Sequence, residues 1–332
     1  MSITTAPQPA ASATSLQARI AKVAQPRSRV LLIAGALFFL LSLTRVITHG
    51  DDLTSSQTMG TTLRVTIPIL LAGLAGLWSE RVGIVNIGIE GMMILGTWFG
   101  GWGAWQFGPW TGLLLGILAG SVGGLIHAVA VVRFNVNHVI SGVAINLLAF
   151  GAMRYLSELV FTGEQGGGIS QSPQQRAPIP RMNLVFLAGG KIGGWTSPDL
   201  LGWLERHRWF VVADLAGILR GLAYNVSWAS ILALALVPLT GWVLWRTRFG
   251  LRVRSSGEEP AAAESLGVKV NPLRYAALAI SGACAGFGGA FLSIVSSSYY
   301  RQGQTASRGY IGLATTIFGN WRPVGVLGGA TL

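Results

Sequence analysis

The chain has 332 residues, of which 51% are hydrophobic and only 11% are charged, whereas a soluble domain usually carries about 25% charged residues. The mean hydropathy of +0.54 and the 46 glycines agree with this, because glycine is commoner in membrane helices than in soluble ones. This composition excludes an ordinary soluble enzyme and leaves no soluble domain large enough for a nucleic-acid module. The net charge of +12 is therefore attributed to basic residues that set the orientation of a membrane protein.

The predicted fold is all-α, a polytopic transmembrane helical bundle of about eight to nine segments, because a membrane helix needs about 20 mostly apolar residues. Residues 1–28 are rich in Ala, Ser, Thr, Gln and Pro and are predicted to form a disordered tail without a signal peptide. Residues 29–332 are predicted to form one transmembrane domain. Its predicted spans are 30–47, 63–79, 82–105, 110–132, 139–161, 226–245, 274–296 and 309–319, with a ninth that begins near Val324.

The last two predicted spans differ from the others. Residues 309–319 are too short to cross the bilayer comfortably, and we expect this segment to be broken or re-entrant. The ninth span reaches Leu332 inside an apolar stretch with no polar cap. We expect this C-terminal span to be incomplete at that residue.

The positions of lysine and arginine predict the orientation. Basic residues cluster before the first span and in the segment 246–274, and alternating the spans places both clusters on one side, which the positive-inside rule makes the cytoplasm. The N-terminus is then cytoplasmic and residues 162–225 are extracytoplasmic. Residues 162–199 are rich in Gly, Pro and Gln and predict an irregular loop. Residues 200–222 mix apolar and charged residues at helical spacing and predict a helix on the outer membrane surface.

Glycines spaced four residues apart predict membrane helices that pack closely, because small residues let helix backbones approach each other in lipid. This spacing is common, and its simplest interpretation is helix packing without a role in transport. The pairs are Gly96 and Gly100, Gly116 and Gly120, Gly120 and Gly124, and Gly282 and Gly286.

Two polar residues interrupt the apolar stretch ERVGIVNIGIEGMMILG, residues 80–96. Asn86 and Glu90 lie four residues apart and are predicted to share one helix face. A charge at mid-bilayer is costly, so Glu90 is expected to point into the bundle or a wet cavity and to have a partner there. Two interpretations stay open, a structural polar clamp between helices and a role in substrate binding or gating. Asn146 and His127, in other spans, are interpreted first as bonds to neighbouring helices.

The second informative stretch is the predicted cytoplasmic segment FGLRVRSSGEEPAAAESLGVKVNPLRY, residues 249–275. Pro260 suits the first turn of a helix, and the two glutamates before it suit the positive end of that helix. Gly267 can end the helix, and the Asn-Pro that follows blocks its continuation. We therefore predict a short helix, about 260–266, that lies across the cytoplasmic face and docks a soluble partner. The simpler interpretation is a solvated loop.

Several kinds of chemistry lack a sequence signature here. There is no Gly-x-x-x-x-Gly-Lys-Ser/Thr phosphate loop, no His-Glu-x-x-His and no pair of cysteines, because Cys284 is the single cysteine. Few titratable groups fall in the spans, which weakens a proton-coupled mechanism. We predict that the chain is not an enzyme, that it binds no metal or cofactor, and that it cannot hydrolyse a nucleotide by itself.

Three stretches together resemble one family. They are ERVGIVNIGIEGMMILG from Glu80, GLRVRSSGEEPAAAESLGV from Gly250 and GYIGLATTIFGNWRPVGVLGGATL from Gly309. They are similar to permease subunits of ATP-binding-cassette (ABC) importers for nucleosides and simple sugars, which are related to ribose and branched-chain amino acid permeases. The resemblance covers about residues 60–332, and the second stretch resembles the cytoplasmic segment that couples such permeases to their ATPase.

The resemblance implies the partners and the site residues. A binding protein or lipoprotein outside a bacterial cytoplasmic membrane delivers the solute, a second homologous permease completes a heterodimer, and separate ATPase subunits bind ATP and Mg²⁺. Membrane lipid is the remaining partner, and no nucleic acid is expected. The polar core near the path is assigned to Asn86, Glu90 and Asn146. Trp98 and Trp102, near Trp105, are possible residues for stacking on the substrate, although aromatic residues near a membrane surface are usually anchors at the membrane interface. Coupling to the ATPase is assigned to Gly257, Glu258, Glu259, Pro260, Ala261, Ala262, Glu264, Leu266 and Gly267.

Other functions remain open at this stage. The same machinery can carry a simple sugar such as ribose, or branched-chain amino acids. A secondary transporter or channel that works without ATP belongs to another class, but it predicts more buried charges and an inverted repeat, and no convincing repeat is visible. A membrane scaffold that transports nothing leaves the polar pair in the 80–96 stretch without a purpose.

Overall fold

The computed structural model describes residues 26–332, except 49, 186, 193 and 208. The described residues form thirteen α-helices and four two-residue strands, β1 to β4, that pair antiparallel as β1 with β4 and β2 with β3. The strands are Arg181–Met182, Lys191–Ile192, Trp195–Thr196 and Val226–Ser227. The helices are α1 Pro26–Thr48, α2 Ser56–Glu80, α3 Ile89–Phe107, α4 Pro109–Ala128, α5 His138–Phe161, α6 Leu200–Arg206, α7 Val212–Ala223, α8 Trp228–Arg246, α9 Arg248–Glu258, α10 Pro260–Ser265, α11 Val270–Phe291, α12 Arg308–Phe318 and α13 Pro323–Thr331.

The centre of the bundle is α11, which packs against α2, α3 and α4. Three backbones meet there at Gly96, Gly120 and Gly286. A Cβ atom added to Gly120 would lie 2.5 Å from the Cα of Gly286, and one added to Gly96 would lie 2.6 Å from the same atom. Both distances are shorter than atoms can tolerate, so the close packing predicted from the glycine spacing is confirmed.

Five described helices are long and apolar enough to cross a membrane, counting the π-helical turns that extend two of them. They are Ser56–Glu80, Pro109–Arg133, His138–Phe161, Trp228–Arg246 and Val270–Ser296. The prediction of a polytopic helical membrane protein is thus supported, while the number of about eight to nine segments stays a prediction. With 11 residues, α12 is about 16 Å long and cannot cross a bilayer core of about 30 Å, as expected for a broken segment.

The predicted third span is wrong at its start. Residues 81–88 form turns and extended chain, and the helix α3 begins only at Ile89. The chain leaves the helical conformation where Gly83 adopts a φ of +85°. We call residues 81–88 the strap.

The predicted tail and outer segment also need correction. Residues 1–25 lie outside the described residues, and α1 begins at Pro26, inside the predicted tail of residues 1–28. The single helix predicted over 200–222 is two helices, α6 and α7, because Val211 between them adopts a φ of +66°. Residues 162–199 are mostly irregular, as predicted, apart from β1 to β3.

Ion pairs fix α6 and α7 to the ends of α1 and α2. Arg45 of α1 lies 3.0 Å from Asp214 of α7, and both side chains are buried. Arg220 of α7 pairs with Glu205 of α6 at 2.9 Å, and Glu205 also accepts a 2.9 Å hydrogen bond from the backbone N–H of Ser56, the first residue of α2. The helices α6 and α7 are therefore fixed to the end of α1 and the start of α2.

Candidate functional site

The strap carries Asn86 to the centre of the bundle. Asn86 is fully buried, and its Nδ2 donates a 3.1 Å hydrogen bond to the Oγ of Ser281 in α11. Because the strap is not helical, Asn86 and Glu90 do not share a helix face, and that prediction is wrong. The strap also touches α5 closely, since a Cβ added to Gly142 would lie 2.7 Å from the backbone N of Gly88.

Glu90 caps a second helix. It lies in the first turn of α3, is only 7% exposed, and accepts hydrogen bonds from the backbone N–H groups of Ser307 at 3.0 Å and Gly309 at 2.7 Å. These donors begin α12, and the chain reaches them through the left-handed conformation of Ser307, at φ +63°. The carboxylate therefore lies at the positive ends of α3 and α12 together, which stabilises its charge inside the bundle. The expectation that Glu90 points inward and has a partner agrees with these contacts.

Asn146 of α5 links four segments. Its Oδ1 accepts a 2.7 Å hydrogen bond from the backbone N–H of Gly91 in α3, and its Nδ2 donates to the carbonyl of Ile87 in the strap at 3.0 Å. The same Nδ2 donates to the hydroxyl of Tyr310 in α12 at 2.8 Å. One amide thus satisfies an unpaired donor at the start of α3 and an acceptor in the strap.

These contacts define a polar cluster of five side chains, Asn86, Glu90, Asn146, Ser281 and Tyr310. The sequence predicted three of these residues, Asn86, Glu90 and Asn146, as one polar core but did not predict their contacts. Ser281 and Tyr310 were missed because a serine and a tyrosine in apolar helices carry no distinct pattern. Two helix starts and the strap converge on this cluster, so it combines backbone dipoles with side-chain donors and acceptors, the combination that broken helices present to polar solutes in transporters.

The remaining polar and aromatic candidates lie outside the cluster. His127 is buried, and its Nδ1 lies 2.9 Å from the Oγ of Ser141 across α4 and α5, as expected for a bond between helices. Trp98 is buried too, with its Nε1 donating to the Oγ of Ser157 at 2.9 Å. Its ring stacks on Trp102 with 6.2 Å between centroids, and the ring of Phe161 lies at 5.3 Å, so a solute would have to open this aromatic group to stack there. Trp105 contacts the same Phe161 ring edge to face.

The predicted helix near 260–266 is present as α10. Pro260 is its first residue, and Gly267 follows its end with a φ of +80°. The backbone N–H of Gly267 donates to the carbonyl of Glu264 at 2.9 Å, and that of Val268 donates to the carbonyl of Ala263 at 3.0 Å, which is the Schellman pattern of helix termination. The side chain of Leu266 is 84% exposed. Also exposed are Glu258, Glu259, Ala261, Ala262, Glu264 and Gly267, whereas Ala263 is buried.

The segment before α10 touches the strap directly. The sequence predicted no helix there, but α9 occupies Arg248–Glu258 and ends against the strap. A Cβ added to Gly257 would lie 2.9 Å from the backbone N of Gly83, and one added to Gly83 would lie 3.2 Å from the Cα of Gly257. Only glycine at both positions allows this approach, so the segment 246–274 is joined to the strap that leads to Asn86.

A second set of contacts joins the strap to the turn between α12 and α13. Arg81 donates a 2.7 Å hydrogen bond to the carbonyl of Trp321, whose Nε1 donates to the carboxylate of Glu80. The guanidinium of Arg81 also lies 5.2 Å from the ring centroid of Trp245, and that of Arg254 approaches the same ring at 5.7 Å. Burial and the neighbouring charge of Arg254 lower the pKa of Arg81. The three stretches that carry the family resemblance therefore meet at the start of the strap.

Comparison with known proteins assigns the chain to a family. The family model "branched-chain amino acid transport system / permease component" matches residues 58–332. The guanosine ABC transporter permease protein NupQ of Bacillus subtilis is 34% identical over 276 residues, 81% of this chain and 77% of that protein. The nucleoside ABC transporter permease protein NupC of Lactococcus lactis is 33% identical over 78% of this chain and 74% of its own length.

A relative named for a sugar is about as similar. The putative glucose ABC transporter permease protein TsgC13 of Haloferax volcanii is 34% identical over 82% of this chain and 74% of its own length. No solved structure matches the chain. The chain belongs to the family of permease components of branched-chain amino acid transport systems, and it is an ABC transporter permease subunit.

Proposed function

We propose that the chain is a permease subunit of an ATP-driven importer for nucleosides and forms the translocation path with a second, homologous permease. The observation that carries the proposal is the connection from α10 through the Gly257–Gly83 contact to the strap and the polar cluster. Such a connection gives an external ATPase a mechanical route to a polar site between helices. The nucleoside is favoured because two of the relatives are named for guanosine or nucleoside transport at 33–34% identity.

In this proposal the described residues perform binding and positioning, and the ATPase subunits supply the chemistry of ATP hydrolysis. The exposed surface of α10, with Leu266 and Glu259, docks on the ATPase, and its movement displaces Gly257 against the strap. The strap holds Asn86, and its far end leads to Glu90, so the displacement changes how α12 is capped. A binding protein or lipoprotein delivers the solute at the opposite end, in a bacterial cytoplasmic membrane with the N-terminus in the cytoplasm. The chain itself is expected to bind no cofactor.

A simple sugar is the second candidate cargo, because the relative named for glucose is as similar as those named for nucleosides. Ribose and branched-chain amino acids belong to the same alternative. Competition experiments separate these cargoes directly: excess unlabelled guanosine, glucose or leucine is added to an uptake assay. The cargo that suppresses uptake of the labelled solute at micromolar concentration identifies the class.

Purification of the tagged chain from its native membrane in mild detergent tests the assembly. The proposal expects an ATPase and a second permease to copurify near stoichiometry, identified by mass spectrometry. A chain that comes out alone or as a homodimer, and that moves solute without ATP, contradicts the importer and favours an ATP-independent transporter.

Two substitutions on α10 and its cap test the docking assignment. We expect Glu259→Arg and Leu266→Asp each to weaken copurification of the ATPase at least about tenfold, because the few residues that dominate an interface each cost about 2 kcal/mol or more when they are truncated. Both side chains are exposed, so insertion and folding of the permease should be unchanged. Glu164→Arg is the matched control, since Glu164 is an exposed carboxylate in the segment 162–199. Normal assembly and uptake in both α10 variants would remove the coupling assignment.

A further inference from the structure

The helix α5 packs on the bundle through one ridge only. Its buried residues recur every three or four positions, and the other residues are largely exposed. The ridge is Ser141, Gly142, Ile145, Ala149, Met153, Ser157 and Phe161. Two exposed flanks therefore run along α5, one on each side of this ridge.

The two flanks differ in charge, because only one of them carries charged side chains. That flank continues from Asn146 through Leu147 to Arg154 and Glu158, since at 3.6 residues per turn these positions fall within about 120° of each other. The exposed apolar residues Val143 and Phe150 lie on it as well. We call it the polar flank. The other flank carries Leu148, Tyr155 and Leu159, all more than 60% exposed, together with Ala144 and Ala152. We call it the apolar flank.

The charges of the polar flank have no partner in the described part of the chain. Arg154 and Glu158 are exposed, and the ion pairs and side-chain hydrogen bonds among the described residues involve other groups. Arg154 lies about 10 Å along the axis from the end of α5 at Phe161, at 1.5 Å per residue. A charged side chain at such depth is costly in lipid, so this flank needs water or polar groups beside it.

The polar flank continues onto α12. Tyr310 is 43% exposed, and its hydroxyl accepts the 2.8 Å hydrogen bond from Asn146. Asn146 in turn binds the start of α3 and the strap. An exposed tyrosine ring, an amide and two charges thus form one surface that adjoins the polar cluster.

We propose that the polar flank of α5, with Tyr310 of α12, forms one wall of a water-filled path, and that the apolar flank faces lipid. The solute that fits this wall is uncharged, polar and ring-shaped, because the wall offers an amide and a hydroxyl beside an aromatic face. A nucleoside has this chemistry, and naming it rests on the function proposed above. The proposed water-facing wall does not depend on the identity of the solute, because it is argued only from the side chains of α5 and α12.

A matched pair of cysteine substitutions tests the wall. Leu147 and Leu148 are adjacent, lie about 14 Å and 15 Å along α5 from its first residue, and are 71% and 69% exposed. They point to different flanks, about 100° apart. Cys284→Ala removes the single cysteine of the chain, and Leu147→Cys and Leu148→Cys are then introduced separately. The assembled transporter in membrane vesicles is treated with a charged, membrane-impermeant thiol reagent.

We expect Leu147→Cys to react at least about tenfold faster than Leu148→Cys, because the reactive thiolate forms in water and is suppressed in lipid. Arg154→Cys and Tyr155→Cys form a second pair on the same two flanks and should show the same order. Guanosine should slow the reaction of Leu147→Cys and leave that of Leu148→Cys unchanged. Both exposed sites tolerate the smaller side chain, so loss of folding does not obscure the comparison.

Other results overturn the proposal. Equal rates, or faster labelling of Leu148→Cys, would show that the polar flank is not the wet one. Failure of Leu147→Cys to react, combined with its crosslinking to the second permease, would make the flank a dry interface between permeases. Labelling requires no transport, so selective labelling of Leu147→Cys in a protein that imports no nucleoside would sustain the wet wall and contradict the proposed cargo.

Discussion

Glu90→Ala is expected to destabilise the folded protein by about 3 kcal/mol, because it leaves two buried backbone donors without an acceptor, each at a cost of about 1–3 kcal/mol. The donors are the N–H groups of Ser307 and Gly309, and the lost charge also stabilised the starts of α3 and α12. The N-terminus of α12 should separate from α3, and uptake should fall to background. Thermal unfolding of the purified complex in detergent and uptake in vesicles measure the two effects.

Glu90→Gln provides the intermediate case. The amide keeps one oxygen acceptor but places a donor against a backbone N–H, so we expect partial stability and strongly reduced uptake. Glu164→Gln is the control, because that carboxylate is exposed in the segment 162–199. Folding and uptake at the original level in both Glu90 variants would reduce this carboxylate to a dispensable polar contact.

The second large effect is expected at Gly120, where α4 crosses α11. Gly120→Ala should destabilise the protein by about 3 kcal/mol or prevent its accumulation, because overpacking a close helix contact usually costs about 1–3 kcal/mol and here the obstacle is backbone. The added methyl would meet the Cα of Gly286 at 2.5 Å, and a backbone atom cannot move aside as a flexible side chain can. The yield of folded protein in membranes and its thermal unfolding give the readout.

Gly35→Ala in α1 is the matched control, because nothing lies within 4 Å of the added atom and alanine favours a helix by about 1 kcal/mol over glycine. It should be neutral or slightly stabilising. If Gly120→Ala folds as well as Gly35→Ala, the close crossing of α4 and α11 is not what holds the centre of the bundle.

Much of the helical architecture could be predicted from local pattern. The apolar run 139–161 has unambiguous ends, and the helix found is His138–Phe161. The short helix α10 could be predicted because its signals are local: Pro260 opens it and Gly267 ends it. Where a boundary is set by residues within a few positions, the sequence carries the information.

The strap could not be predicted for the opposite reason. Its residues Ile84, Val85 and Ile87 continue the apolar run of α3, and a buried extended segment has the same composition as a buried helix. What keeps it extended is tertiary, namely the approach of Gly83 to Gly257 and the bond from Asn86 to Ser281. Both partners are distant in sequence.

The members of the candidate site were predictable only in part, and their contacts were not. Glu90 attracts attention because a carboxylate in an apolar segment needs a partner, and the structure provides one. The partner consists of backbone N–H groups at Ser307 and Gly309, which leave no mark in side-chain sequence. Tyr310 could be identified as a site residue only from the structure, in which its hydroxyl accepts a hydrogen bond from Asn146.

The central claim is that this permease works in an ATP-driven nucleoside importer, and reconstitution tests it most directly. The copurified complex is placed in liposomes with its binding protein, ATP is enclosed on the side of α10, and uptake of labelled guanosine is measured against a control with ADP. The account predicts uptake that requires ATP and is lost in Leu266→Asp. Equal uptake with ADP, or uptake of glucose but not guanosine, would contradict it.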